Sequence, residues 1–198
     1  MPNTLFYRVF LLTVMALFLP SCALSPQGID IQPTPEVEYS AFGGNAPVAV
    51  QVRDERPEDH LGSRGGAYPD TSLLMVNNDL PKEIYDAVTK GLHQQGFNVL
   101  NPGNKARRLT LYVDELRYTP AEGTVVNGVT VDVRLRAEVQ EGSQLIYRNR
   151  YHSETEHKMP FTPSTGKNQT LINQELTRTL ERLLKDEKLL SALKDGKS

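Results

Sequence analysis

Two stretches of the chain carry a serine and a lysine at the spacing that acyl-transfer enzymes use. Ser164-Thr165-Gly166-Lys167 and Ser191-Ala192-Leu193-Lys194 both read S-x-x-K. In that arrangement a lysine amine one helical turn beyond the serine takes the hydroxyl proton as the oxygen attacks. The companion S-D-N and K-T-G sequences do not occur in the chain, and Ser164 stands where a helix should begin, a place where serine is an ordinary cap. Gly166-Lys167 also has the ending of a phosphate-binding loop, but Phe161 occupies the position of the required first glycine and Asn168 replaces the Ser or Thr. His152, Glu154 and Glu156 fall on one face of a strand and His157 on the other, so a metal there would need ligands from elsewhere. His60 and His93 have no evident partners. The expectation is a non-enzymatic chain with no metal and no cofactor.

The remaining cluster is cationic. Arg134, Arg136, Arg148 and Arg150 all have even numbers in two neighbouring strand-like runs, and Asp132, Glu138, Glu154 and Glu156 are interleaved with them. If the two runs form a hairpin, the four arginines lie close together on one face. Cross-strand salt bridges on a wetted surface account for such a pattern. The alternative is an interaction face, because arginine forks pair with carboxylates or phosphates. Asp54 and Arg56 read as an ion pair closing an earlier strand.

Composition narrows the function classes. The 198 residues hold 22 Lys+Arg against 24 Asp+Glu, a net charge of −2, with 38% hydrophobic and 23% charged residues. That balance lacks the basic excess of a nucleic-acid-binding protein and fits one ordinary globular domain. At the start of the chain, residues 1–21 contain no acid and only Arg8 as a basic side chain, and Val9–Leu19 is almost wholly apolar. Eleven residues at ~1.5 Å rise fall short of the ~30 Å hydrocarbon core, so residues 1–21 read as a signal peptide.

Cys22 is the only cysteine. Leu19-Pro20-Ser21-Cys22 resembles the bacterial lipobox, in which Leu at −3 and a small residue at −1 precede a cysteine that becomes diacylated. Leu19, Ser21 and Cys22 match that pattern and Pro20 departs from it. The resemblance implies a lipid-modified Cys22 as mature N-terminus, leaving 198 − 21 = 177 residues and a charge of 21 − 24 = −3. Ala23 follows the cysteine instead of the Asp that resembles an inner-membrane retention signal, which implies the outer membrane. The multiple acyl chains of such a modification make a stable anchor. Residues 22–46, with their Pro and Gly content and a short extended piece at Ile29-Asp30-Ile31, read as a flexible tether. A domain over 47–195 then follows.

The elements that must position the arginines can be read from periodicity. Val48, Val50 and Val52 alternate in a first strand; a Gly-rich stretch to Tyr68-Pro69 reads as a long loop; Ser72–Val76 is a second strand. Asn77-Asn78-Asp79 offers caps for a helix over about 80–95, with Ile84, Val88 and Leu92 on one face and Gly96 as its stop. Phe97–Leu100 makes a short strand. Leu109, Leu111 and Val113 alternate on odd positions and Leu116 and Tyr118 on even ones, which predicts a bulge near Asp114. Val129 to Val139 keep strict odd parity, and Leu145, Tyr147 and Tyr151 return on the same parity, which predicts a hairpin with a three-residue turn around Gly142. Ile172, Leu176, Leu180, Leu183 and Leu184 mark a helix over about 168–185, and Asp186 caps a short last one. The order implies an α+β fold, with a single mixed, mainly antiparallel sheet and two main helices on one face.

This order of parts resembles the YajG family of bacterial lipoproteins. The likeness spans Leu19–Cys22, "GIDIQPTP", "VAVQVRDER", "NDLPKEIYDAVTKGLHQQGFNVL", "LTLYVDELRY", the long hairpin and "INQELTRTLERLL". It implies an anchored periplasmic domain with no assigned activity. The lipid anchor, the long tether and the lack of an assembled catalytic set lead to the expectation of an outer-membrane lipoprotein whose domain binds an envelope protein in assembly or transport. A small-ligand or lipid-binding accessory of a transport system is the alternative, with a groove between helices and sheet as its mark.

Overall fold

The strict alternation over residues 107–159 becomes three long antiparallel strands, and everything else is arranged around them. The computed structural model of the chain describes residues 25–65, 68–100, 106–121, 127–159 and 163–194. Its elements are β1 (Gln27–Ile29), β2 (Pro47–Asp54), β3 (His60–Ser63), β4 (Leu73–Val76), α1 (Leu80–Gln94), β5 (Asn98–Leu100), β6 (Arg107–Pro120), β7 (Asn127–Glu141), β8 (Gln144–Met159), α2 (Thr165–Leu184) and α3 (Glu187–Lys194). β6 pairs with β7 along one edge, and β7 with β8. Along its other edge β6 takes β2 in parallel from Arg107 to Val113, then β3 in parallel at Tyr118. β5 lies parallel beside β2, while β4 and β1 continue the sheet beyond β3. The result is one eight-stranded mixed sheet, antiparallel through its longest strands.

The helices cover one face only. Val129, Val131, Val133, Leu135, Ala137 and Val139 of β7 are at most 2% exposed and pack in one core with Ile84, Val88 and Leu92 of α1 and Leu176, Leu180 and Leu183 of α2. The α+β expectation therefore holds, with α3 as a third, short helix. Three caps fix where the helices begin. Asp79 Oδ1 accepts from the Lys82 N–H at 3.0 Å, Ser164 Oγ from the Lys167 N–H at 3.3 Å, and Asp186 Oδ1 from the Lys188 N–H at 2.9 Å. Gly96 ends α1 with φ +84°.

The bulge in β6 falls at Asp114: Val113 faces Leu135 and Glu115 faces Arg134, so Asp114 is the extra residue. It brings Leu116 and Tyr118 to the buried side, at 3% and 2% exposure. The hairpin differs from its expected form. Its turn has two residues, Gly142 and Ser143, between the facing pair Glu141 and Gln144, with φ +61° at Gly142. The parity is restored one step later: Val139 faces Tyr147 and Gln140 faces Leu145, leaving Ile146 as a bulge. One extra residue was needed, and it sits in the strand instead of the turn.

Two other expectations are corrected. The Gly-rich loop after Arg56 contains β3, whose Gly62 (φ +127°) lies so close to β6 that a Cβ there would stand 2.1 Å from the Tyr118 carbonyl oxygen. The tether is corrected as well, from residue 25 onward. Gln27–Ile29 is a sheet strand, and Ile29 and Ile31 are 0% exposed. The chain then runs extended along α2, where the N–H groups of Asp30, Gln32, Thr34 and Glu36 donate to side-chain oxygens of Gln169, Asn173, Thr177 and Glu181 at 2.7–3.1 Å. The match is metrical. Two extended residues advance ~6.6 Å and four helical residues ~6.0 Å, so every second strap amide meets every fourth helix side chain. The backbone donors that would keep a tether in water are satisfied on the domain.

Candidate functional site

The sheet face opposite the helices is uncovered, and the alternation of β7 and β8 puts the four arginines on it. Their pairing follows from the register: Arg136 faces Arg150, Glu138 faces Arg148, Arg134 faces His152 and Asp132 faces Glu154. Arg136 is the centre. Its Nη2 lies 2.6 Å from Glu55 Oε2 and 3.1 Å from Asp114 Oδ1, and its Nη1 3.2 Å from Glu138 Oε1. The guanidinium carbon stacks 3.9 Å from the Tyr112 ring centroid. Burial alone would lower the Arg136 pKa, but the carboxylates of Asp114, Glu138 and Glu55 raise it above its ordinary value. Its side chain is 18% exposed, so this arginine is enclosed by acids.

Two of the other three are also matched. Arg148 Nε reaches Glu138 Oε1 at 2.9 Å, and Arg134 Nη2 reaches Asp132 Oδ2 at 2.6 Å. Arg150 is exposed and has no ion pair among the described residues. The hairpin's part of this face thus carries a largely neutralised charge lattice, in which Arg150 alone of the four arginines is left without an ion pair among the described residues. The sequence could not supply two members of the Arg136 cluster: Glu55 is 81 positions away, and Asp114 reaches the open face through the bulge.

The histidine and acid cluster differs from the expected set. His152 Nε2 lies 3.1 Å from Asp132 Oδ1 and 3.8 Å from Glu154 Oε2. These three residues, with Asp132 in place of Glu156, hold ligand atoms within 4.8 Å of one another. They could contact a cation, but the Arg134 guanidinium already sits on Asp132, and both His152 and Glu154 are exposed. The Ser164 hydroxyl serves as the α2 cap, and Lys194 of the second S-x-x-K lies 5.0 Å from the Phe42 ring.

Two partly buried polar clusters sit toward the ends of the sheet. Arg56 forks the Asp54 carboxylate through Nε at 2.9 Å and Nη2 at 2.8 Å, as read from the sequence, and its side chain is only 6% exposed. At the far end Asp186 Oδ2 accepts from Tyr147 Oη at 2.6 Å, Tyr151 Oη at 2.7 Å and Asn149 Nδ2 at 3.0 Å. Burial would raise the Asp186 carboxyl, but these donors and the Leu189 N–H hold it down at about 2. Burial also pushes the Tyr118 phenol up to about 12, where it donates to Asn168 Oδ1 at 2.8 Å.

Depressions of about 300, 570 and 720 Å³ open on the surface. They lie between β3 and β6, between the strap and α2, and between the strap and α3. The space between helices and sheet is filled by side chains with no exposure, among them Leu109, Leu111, Leu176 and Leu180. No described helix is long and apolar enough to cross a membrane. Leu19, Ser21 and Cys22 lie outside the described residues.

Comparison with known proteins places the fold. A crystal structure of a Xanthomonas campestris protein is similar, with TM-score 0.53 and 12% identity over 81% of this chain and 92% of that one. A minor lipoprotein from Acinetobacter baumannii matches with TM-score 0.42 and 10% identity, covering 76% of this chain and 91% of that one. Rare lipoprotein B from Shewanella oneidensis matches with TM-score 0.40 and 12% identity, covering 72% and 98%. No curated protein matches in sequence. A family model described as "Uncharacterized lipoprotein" matches residues 33–194. That span runs from the strap through the whole hairpin to the end of α3, and the chain belongs to this lipoprotein family.

Proposed function

We propose that the chain is an outer-membrane lipoprotein of the YajG type, anchored through acylated Cys22, whose periplasmic domain is a non-enzymatic binding or accessory module for an envelope protein in assembly or transport. The observation that carries the anchor is the single cysteine in Leu19-Pro20-Ser21-Cys22 of a chain from a lipoprotein family. Ala23 supports the outer membrane as destination. The binding role is supported by the open face of the hairpin, where charged side chains on rigid strands present a defined pattern to a partner. Arg134, Arg148 and Arg150 are its accessible cations, and Arg136 is the strut that orders the acids among them.

The correction to the tether changes how the domain would work. With Cys22 as first residue, only residues 23–26 separate the lipid from β1, so the domain would stay within ~18 Å of its anchor at ~3.6 Å per residue. A partner would be met at the membrane surface. The filled helix–sheet interface counts against the small-ligand alternative.

The test has two parts. In the native bacterium Cys22→Ser should abolish incorporation of labelled palmitate, and persistent labelling would refute the anchor. A photo-crosslinking residue in place of Arg134 should give one discrete envelope-protein adduct; a well-expressed protein without any adduct would remove the open face from the reading.

A further inference from the structure

β8 is sixteen residues long and, among the described residues, pairs only with β7, so its other edge is a sheet margin. Two contacts show which backbone groups point outward. The Arg182 Nη1 donates to the His152 carbonyl oxygen at 2.6 Å, and the Arg150 N–H donates to the neighbouring Asn149 Oδ1 at 2.9 Å. Even-numbered residues of β8 therefore direct N–H and C=O away from β7, as alternate residues of an antiparallel edge do. Such an edge is a template for another strand.

The side chains of those same residues form a pattern. On the open face β8 reads Arg148, Arg150, His152, Glu154, Glu156: two cations, a histidine, two anions. The series inverts its sign about His152. Within the chain, part of it is badly matched, since Arg150 faces Arg136 and Glu154 faces Asp132. Like charges directly opposite one another are unfavourable, so the edge carries a charge sequence that its own sheet does not complete.

We propose that β8 is a dimerisation edge, at which two copies of this chain pair β8 with β8 antiparallel about a two-fold axis at His152. In that register opposed residue numbers sum to 304, and Arg150 meets Glu154 of the second copy while Arg148 meets Glu156. Symmetry repeats both pairs on the other side of the axis, as an isologous interface requires. Other registers with outward groups in phase do worse. A sum of 300 sets Arg150 against itself, 302 sets it against His152, and 306 sets Arg148 against Lys158. The pairing replaces the bonds from Arg182 and Asn149 with backbone hydrogen bonds, and it joins two eight-stranded sheets into one. It requires neither the lipid anchor nor an envelope partner.

The experiment is sedimentation of the full chain in detergent at rising protein concentration. The parent protein should reach twice the protein mass of one chain, with the dimer weakening as salt is added. Arg150→Glu places acid against acid at both symmetry-related pairs, and Glu154→Arg places base against base; each should weaken dimerisation by about tenfold or more. The charge-swapped double variant Arg150→Glu/Glu154→Arg restores opposite signs and should return the dimer to within about threefold of the parent. A parent that stays monomeric overturns the proposal, as does a dimer indifferent to the single reversals or one that the double swap fails to rescue. A monomer whose β8 edge pairs with a strand of a different protein overturns it equally.

Discussion

Truncating Ile31 to alanine separates a tether from a structural strap. In a tether that side chain lies in water and its removal changes little, within about 0.5 kcal/mol. Here it is 0% exposed and belongs to the core, and the Asn78 side-chain amide brackets its backbone, accepting from the Ile31 N–H at 2.9 Å and donating to the Ile31 carbonyl at 2.8 Å. Removing three buried carbons and leaving the space should cost about 3 kcal/mol, within the ~2–5 kcal/mol of buried Ile→Ala changes. With a urea m-value of about 2.5 kcal/mol/M for a domain of this size, the unfolding midpoint should fall by about 1.2 M. Urea titrations of Ile31→Ala and of Tyr39→Ala, which removes an 83% exposed side chain further along the same segment, give the comparison. Asn173→Ala adds the helix side of the contact. It deletes the acceptor for the Gln32 N–H at 2.7 Å and the donor to the Asp30 carbonyl at 2.8 Å, for a loss of about 1–2 kcal/mol. A midpoint for Ile31→Ala within about 0.2 M of the parent, at unchanged m-value, would refute the strap.

Asp186 gives a pH signature. Its folded pKa of about 2 lies below the ordinary 3.8, so its contribution is present above about pH 4 and is lost as the pH falls through 2. Fully shielded, the difference would be worth about 2 kcal/mol; for a partly exposed carboxylate, solvent screening leaves about 1 kcal/mol. Asp186→Asn should therefore be less stable than the parent at pH 7, and the gap should shrink as acid unfolding is followed toward pH 2; a gap independent of pH would contradict the assignment. On the open face, Arg136→Ala should cost about 2 kcal/mol because Glu138, 7% exposed, keeps only Arg148 and a 3.4 Å hydrogen bond from the Tyr112 hydroxyl, whereas Arg134→Ala should cost less than about 1 kcal/mol. Equal losses in thermal or urea unfolding would show that Arg136 is not the strut of that lattice.

The two strands of the hairpin and their buried face, the bulge in β6 and the caps were legible because each is written in neighbouring residues. Parity alone could not say that the extra residue of the hairpin is Ile146 in the strand and not a third residue in the turn. Strict odd parity from Val129 to Val139 states which face is buried, and the parity change between Val113 and Leu116 states that one residue must be extra. Asp79, Ser164 and Asp186 stand immediately before their helices. The strap was not legible because its evidence is split between ends of the chain. Pro, Gly and polar residues from Ser25 to Ala46 have the composition of a linker, and the α2 side chains that satisfy their amides lie 139–145 positions away. Gln169, Asn173, Thr177 and Glu181 form a polar stripe at spacing four, which in sequence alone is the wetted side of an amphipathic helix. β3 was missed for a different reason: four residues with a glycine in the third place carry too little periodicity to signal a strand. Of the four arginines, sequence parity placed all on one face, but only register and the bulge distinguish enclosed Arg136 from free Arg150.

Short connection and two-fold pairing together constrain how the domain would sit. In a sheet formed by β8 from two copies, the symmetry axis at His152 stands perpendicular to the sheet, and the strands of the two copies run in opposite directions. On the proposed anchoring both copies are held to the same membrane by links of only ~18 Å. Two identical, equally tethered subunits are equivalent only when their axis is normal to the membrane. The sheet then lies along the membrane plane, with either its helices or its charged face toward the lipid. An upright monomer, by contrast, would leave both faces equally wetted. Single cysteines at exposed Arg134 on the open face and exposed Gln174 on α2 report the difference in the membrane-bound protein. A water-soluble thiol reagent should modify one of them at least tenfold faster than the other, and detergent should equalise the rates. Equal rates in the membrane would refute the flat arrangement while leaving the dimer itself to sedimentation.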